Sequence, residues 1–197
     1  MTTFEATSAR PAAALLWRGV GLGRSVVLVL VASALLTLSA KIQVPFWPVP
    51  ITMQSLVVLL IGLAYGSRLG TAALLAYLAE GMTGLPVFAG PVGGIGYMFG
   101  PTGGFLIGFV LAAGCVGWMA ERGWDRTVLR AAVVLTVGHI LLFVPGVIWL
   151  ATLIGWSKAV AVGVTPFIFV TVVKTALGVA LVAAFWSFLG NRLSAKA

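Results

Sequence analysis

Apolar runs of helix length, separated by segments a few residues long, dominate this chain from Arg24 to Leu189. Apolar residues make up 61% of the 197 residues and charged residues 8%, whereas a soluble domain is roughly half apolar and about a quarter charged. Such a chain cannot hide its apolar surface from water alone, so it reads as an integral membrane protein. A membrane-crossing helix takes about 20 residues, which leaves room for roughly six crossings and no separate soluble domain. The expected fold class is therefore all-α: a single six-helix membrane domain over residues 24–190, with tails at 1–23 and 191–197.

The expected crossings follow from the breaks between the runs. The first covers Arg24 to Ile42 and ends at QVPFWPVPIT, where Pro45, Pro48 and Pro50 forbid a continued helix. Gln43, Phe46 and Trp47 fall in this short rigid outer loop, with Trp47 suited to anchor at the interface. The second covers Ile51 to Gly66, and a very short inner turn at Ser67 and Arg68 leads to the third, Leu69 to Gly81. Gly62, Gly66 and Gly70 recur every four residues, a row that lets helices approach closely. The fourth covers Thr102 to Ala120, with Gly104, Gly108 and Ala112 on one face. The polar segment ERGWDRTVLR follows as an inner loop, and the fifth crossing covers Val128 to Leu150, with Pro145 expected to kink it. GWSK reads as a short outer turn. The sixth covers Ala159 to Leu189, long enough to include an irregular piece around Gly163 and Pro166.

Charge sets the orientation. With the N-terminus inside, the inner segments hold Arg10, Arg18, Arg24, Arg68, Arg122, Arg126, Arg130, Arg192 and Lys196, and the outer segments hold Lys41 and Lys158. This asymmetry fits the positive-inside rule, so both termini are expected in the cytoplasm of a multi-pass plasma-membrane protein. The net charge of +8 is spread between apolar segments rather than gathered on one stripe, which argues against nucleic acid as a partner. The start, through Leu15, Leu16 and Trp17, is read as a cytoplasmic tail with a partly interfacial helix. It is not read as a cleavable signal peptide, because the next apolar run continues at spanning length.

Between the third and fourth crossings lies TGLPVFAGPVGGIGYMFGPTGGFLIGF, Thr83 to Phe109. Pro86, Pro91 and Pro101 remove helix donors, and Gly90, Gly93, Gly94, Gly96, Gly100, Gly103 and Gly104 permit close backbone approach. Irregular backbone in a membrane protein is tolerated where protein buries it or where it lines a wet cavity. The stretch is either a substrate-lining loop or an outer connector.

Few residues could carry chemistry. No G-x-x-x-x-G-K-S/T, H-E-x-x-H or G-x-S-x-G occurs, so the chain has no P-loop, zinc-protease motif or nucleophile elbow. Cys115 is the only Cys and His139 the only His, which leaves no metal site and no cofactor in view. One His and four carboxylates give a membrane enzyme little to build with. His139 reads as a hydrogen-bonded packing residue.

Lys174 stands out, flanked by apolar residues in PFIFVTVVKTALGVALV. A buried ammonium costs several kcal/mol unless satisfied, so residues of this kind are usually functional. It either meets a ligand or pairs with another helix, Glu80 being available for Lys174 or Lys41. A cationic site in the outer half, walled by Phe88, Tyr97, Phe99, Phe143, Trp149 and Phe167, suits a small, anionic, partly apolar solute.

The chain resembles the BioY family, the biotin-binding membrane subunits (S components) of energy-coupling factor vitamin transporters. The resemblance lies in IQVPFWPVPIT, GLPVFAG, GPTGGFLIGF and the PF pair, with Lys174 eight residues after Pro166, in order from Ile42 to Lys174. It implies six helices, a biotin site near the outer surface, and two kinds of partner: a transmembrane coupling subunit and ABC-type ATPases. It implies no enzymatic activity in this chain. The family pattern places an Asp three residues before the Lys, a position held here by Thr171, whose hydroxyl can donate or accept a hydrogen bond. The expected substrate-binding residues are Lys174, Thr171, Phe88, Ala89, Gly90, Gly93, Gly94, Tyr97, Phe46, Phe143 and Trp149. S components commonly dock the coupling subunit through an Ala-x-x-x-Ala face on the first helix. Here Ala32, Leu36 and Ala40 hold that row, interrupted by Leu36, and Ser33 with Thr37 is the neighbouring alternative. The rival readings are an S component for another vitamin and a stand-alone carrier of a small anionic solute, although the two halves show no matching broken helices.

Overall fold

The structure, a computed structural model, describes residues 21–194, with side chains described for residues 21–188. The tail readings over residues 1–20, with Arg10, Leu15, Leu16, Trp17 and Arg18, lie outside the described residues, as do Lys196 and the side chain of Arg192. The elements in order are α1 (Leu22–Lys41), β1 (Gln43–Val44), β2 (Ile51–Thr52), α2 (Gln54–Met82), α3 (Ile95–Met98), α4 (Gly103–Ala120), α5 (Val128–Ile154), α6 (Trp156–Gly163) and α7 (Phe167–Ser194). Helices α1, α2, α4, α5 and α7 are long and apolar enough to cross a membrane, so the chain is a multi-pass, mostly helical membrane protein.

Helix α2 is one apolar run with a break inside it. Gly66 has φ 80° and ψ 179°, a conformation that glycine alone adopts easily. A Cβ built on Gly70 would lie 3.3 Å from the Gly62 Cα, yet eight residues of straight helix span about 12 Å. The chain therefore doubles back at Gly66, and α2 is two antiparallel halves meeting along the glycine row. The turn is held from α4. The Glu121 carboxylate accepts from the Ser67 backbone N–H at 2.7 Å and from its hydroxyl at 2.9 Å. A carboxylate there also faces the positive end of the second half-helix.

Three boundaries differ from the sequence reading. The loop QVPFWPVPIT contains a two-stranded antiparallel ladder, Gln43 opposite Thr52 and Val44 opposite Ile51, so among the described residues the regular structure is helical apart from this hairpin. The second crossing starts at Gln54 because Ile51 and Thr52 belong to the ladder. The turn read over GWSK is confined to Gly155 at φ 84°, and Trp156, Ser157 and Lys158 form the first turn of α6. The expected irregular piece lies at residues 164–166, between α6 and α7.

The row on α1 expected to dock a partner faces inward. Ala32, Leu36 and Ala40 are fully buried and Ser33 is 3% exposed. The Ser33 hydroxyl donates to the Glu80 carboxylate on α2, and Thr37, half-buried, donates to the Ser33 carbonyl at 2.9 Å. Small side chains let α1 approach α2 closely, so Ala32, Ser33, Leu36 and Ala40 of the expected docking row are buried within this chain, with Thr37 half-buried beside them. The outward face of α1 carries Val27, Leu30, Val31, Leu35 and Leu38.

Candidate binding cleft

One end of the helix bundle is closed by the hairpin and the Gly/Pro stretch, and a cleft lies beneath them. Its cavity volume is about 50 Å³, a nearly closed pocket well below the size of a filled small-molecule site. Val49, Pro50, Thr52, Gln54 and Ser55 line it from the hairpin and the start of α2, and Ala89, Tyr97 and Thr102 from the Gly/Pro stretch. Phe105, Leu106 and Phe109 of α4, Leu142 and Phe143 of α5, and Phe167, Thr171 and Lys174 of α7 complete it.

Lys174 supplies the charge. It is 6% exposed, and its Nζ donates to the Thr52 carbonyl at 2.5 Å and the Ser55 hydroxyl at 3.0 Å. An ammonium has three donors, so one remains for the cleft. No carboxylate among the described residues lies within ion-pair distance of it. Of the two expectations for Lys174, the Glu80 pair is absent from this structure, since Glu80 is held by Ser33.

The Gly/Pro stretch is built as a lid. Lys41, at the end of α1, donates to three alternate lid carbonyls, Pro86 at 2.7 Å, Phe88 at 2.8 Å and Gly90 at 2.7 Å. Tyr77, fully buried in α2, donates to the Val87 carbonyl at 2.9 Å. The Gly94 N–H reaches the Gly81 carbonyl at 2.7 Å, with Gly94 at φ 100°. Tyr97 donates to the Ala89 carbonyl at 3.1 Å; burial pushes its hydroxyl above the ordinary range, so it stays a donor. The lid is thus ordered backbone whose carbonyls are satisfied by side chains, as an apolar setting requires.

The structure brings Lys174, Thr171, Ala89, Tyr97 and Phe143 to the cleft. Phe46 and Gly90 line an adjoining open vestibule, which shares Pro50, Ala89, Tyr97 and Thr102 with it. The remaining expected contacts stand behind the wall. Phe88 is fully buried, stacked on Tyr97 at 4.7 Å and edge-on to Tyr77 at 5.5 Å. Gly93 packs where a Cβ would meet the Leu85 carbonyl oxygen at 2.3 Å. Trp149 donates its indole N–H to the Gly100 carbonyl at 2.9 Å and holds the lid's far end. Neither Gly93, Gly94, Phe88 nor Trp149 lines the cleft: the lid folds Phe88, Gly93 and Gly94 onto its supports, and Trp149 on α5 is one of those supports. Sequence reasoning passed over Thr52, at the end of the hairpin, and Gln54 and Ser55, which open an ordinary apolar helix; none carries a charge, and only proximity to PFWPVP hinted at them. It also passed over Lys41 as a clasp. His139 bonds the Leu135 carbonyl at 3.0 Å and the Thr175 hydroxyl at 3.2 Å, tying α5 to α7. Among the described residues no group of His, Cys, Asp and Glu is placed to hold a metal.

Comparison with known proteins agrees with this architecture. The sequence profile of the BioY family matches residues 10–191. A Lactococcus lactis protein named biotin transporter BioY2 is 36% identical over 166 residues, covering 81% of this chain and 91% of its own length. A Pyrococcus horikoshii protein named probable biotin transporter BioY is 39% identical over 156 residues, covering 79% and 92%. The crystal structure of the S-component for biotin from an ECF-type ABC transporter superposes with a TM-score of 0.72 at 25% identity, covering 83% of this chain and 90% of that one. Sequence and fold agree over nearly the whole length, and the chain belongs to the BioY family.

Proposed function

We propose that the chain is the substrate-binding membrane subunit of a biotin transporter. It captures biotin from outside and delivers it inward together with a transmembrane coupling subunit and ABC-type ATPases. The observation that carries this is the cleft itself: a lone ammonium, Lys174, with one donor unspent, at the floor of an aromatic pocket under an ordered lid. Biotin is a small acid with a polar cyclic urea and an apolar middle, and both of its polar ends carry oxygens an ammonium can bind. Relatives named as biotin transporters and as a biotin S component support the choice. The part of this chain is binding and delivery rather than catalysis.

In this reading the chain crosses the membrane six times, through α1, the two halves of α2, α4, α5 and α7. Glu121 touching Ser67 places Arg68, Arg122, Arg126 and Arg130 at one end of the bundle, and Lys41 and the lid lie at the other. Positive charge belongs inside, so the lid faces outward and both termini lie in the cytoplasm of the plasma membrane. Lys174, Thr171, Ala89, Tyr97 and Phe143 contact ligand; Phe46 and Gly90 guard the entrance; Phe88, Gly93, Gly94 and Trp149 shape the lid. With no P-loop in the sequence, the energy comes from separate ATPase chains.

Titration calorimetry of the purified chain with biotin, thiamin and riboflavin tests the proposal. Saturable binding of biotin, with none of the other two, is expected. Tight binding of thiamin or riboflavin with no response to biotin would replace the substrate.

A further inference from the structure

The cleft contains an acceptor whose direction is fixed from behind. Gln54 lines the cleft and is 4% exposed. Its side-chain amide lies 2.7 Å from the Tyr77 hydroxyl, and that hydroxyl lies 2.9 Å from the Val87 carbonyl of the lid. The three groups can be arranged in only one sense. A backbone carbonyl accepts only, so Tyr77 must spend its single proton on Val87. The Tyr77 oxygen then has only lone pairs to offer, and the group facing it from Gln54 must be the amide NH2. The Gln54 carbonyl oxygen is left for the cleft side. Among the described residues it meets there only the Thr52 hydroxyl, at 3.4 Å, a long contact that leaves it a free lone pair. On the same floor the Thr52 carbonyl and the Ser55 hydroxyl hold the Lys174 ammonium. The floor therefore presents an oriented acceptor beside an oriented donor.

We infer that Gln54 is a specificity-determining residue that accepts a hydrogen bond from a ligand N–H, with Tyr77 as the residue that positions it. The matching chemistry is a cis N–H and C=O in one ring: a cyclic urea or lactam whose N–H meets Gln54 while its carbonyl oxygen meets Lys174. This rests on the biotin reading above and names the group that reads the ureido N–H. It makes the specificity directional. A ligand with an acceptor in place of that N–H sets two lone pairs against each other in a buried site, and Gln54 cannot turn its NH2 inward without breaking the bond to Tyr77. Sites built to bond a ligand donor reject analogues lacking it far more strongly than apolar pockets reject a missing methylene.

The test measures binding of biotin and of two isosteric cyclic carbamates, each with one ureido N–H replaced by a ring oxygen, to wild type, Gln54→Met and Tyr77→Phe. Wild type is expected to bind one of the two carbamates at least about 10-fold more weakly than biotin, the scale of one buried hydrogen bond. In Gln54→Met that ratio should fall close to one. In Tyr77→Phe it should also fall, because the freed amide can turn its NH2 toward the ring oxygen. A purely structural role for the Gln54–Tyr77 contact would weaken all three ligands alike and leave the ratio unchanged, which would overturn the inference. So would wild-type protein that binds both carbamates as tightly as biotin. Should Gln54→Met fail to fold, Tyr77→Phe decides by the same ratio. Wild-type protein that binds no biotin would remove the transport reading and this inference with it, whereas biotin binding without carbamate discrimination removes this inference alone.

Discussion

Lys174 and Lys41 are both lysines on helices, and their surroundings separate their roles. Lys41 spends all three donors on lid carbonyls and has none left for a ligand. Lys174 spends two on Thr52 and Ser55. Lys174→Met keeps length and apolar packing while removing the spare donor, so biotin affinity should fall by about 10- to 100-fold, from 1.5–3 kcal/mol per charged hydrogen bond. Glu80→Gln is expected to leave affinity unchanged, because Glu80 bonds Ser33 rather than Lys174. Calorimetry on both variants checks this, and an equal loss in the two would revive the ion pair. At this scale the sequence was legible wherever charge stood out against an apolar background, as at Lys174. It was mute on Gln54 and Ser55, ordinary polar residues whose importance comes only from which carbonyl or hydroxyl they face. The small-residue row on α1 was visible too and was read as a docking face, but the direction it faces is not written in the sequence; in the structure Ala32, Ser33 and Leu36 are buried and Ser33 bonds Glu80.

Among the elements, the breaks were easier to read than the ends. Gly66, Pro166 and the Gly/Pro stretch were all visible as interruptions, since Pro lacks a donor and Gly lacks a Cβ. The hairpin of β1 and β2 was hidden, because two-residue strands carry no periodic signal. The inside of the lid was hidden as well: the many glycines and prolines of the stretch say that the backbone bends, and only its bonding partners say which way. That distinction is testable. Gly93→Val drives a Cβ into the Leu85 carbonyl at 2.3 Å, whereas a Cβ on Gly96 meets nothing within 4 Å. Gly93→Val should therefore weaken biotin binding and lower the melting temperature, with membrane insertion intact, while Gly96→Ala should behave as wild type. Binding and thermal scans of the two purified variants give the comparison, and normal binding by Gly93→Val would reduce the stretch to a connector.

Across the whole molecule, two ends of unlike chemistry face opposite ways. One gathers Arg68, Arg122, Arg126 and Arg130 around the Glu121–Ser67 contact. The other gathers the hairpin, the lid and the cleft. In a Cys115→Ala background, single cysteines at Ser157 and Thr127, both exposed, should label from outside only at Ser157. External labelling at Thr127 would invert the molecule and put the cleft on the cytoplasmic side. Asp125 in the same loop is a poor reporter, being 4% exposed and bonded to the Trp186 indole at 3.1 Å. The most direct test of the account is an experimental structure of the chain with biotin bound. The ligand is expected beneath the lid, with one oxygen on the Lys174 ammonium and Tyr97 and Phe143 against its apolar body. Biotin lying only in the open vestibule by Trp47, or in the apolar groove that Thr136, His139 and Ile140 of α5 form with Ile168, Val172 and Thr175 of α7, with Lys174 still touching nothing but Thr52 and Ser55, would contradict it.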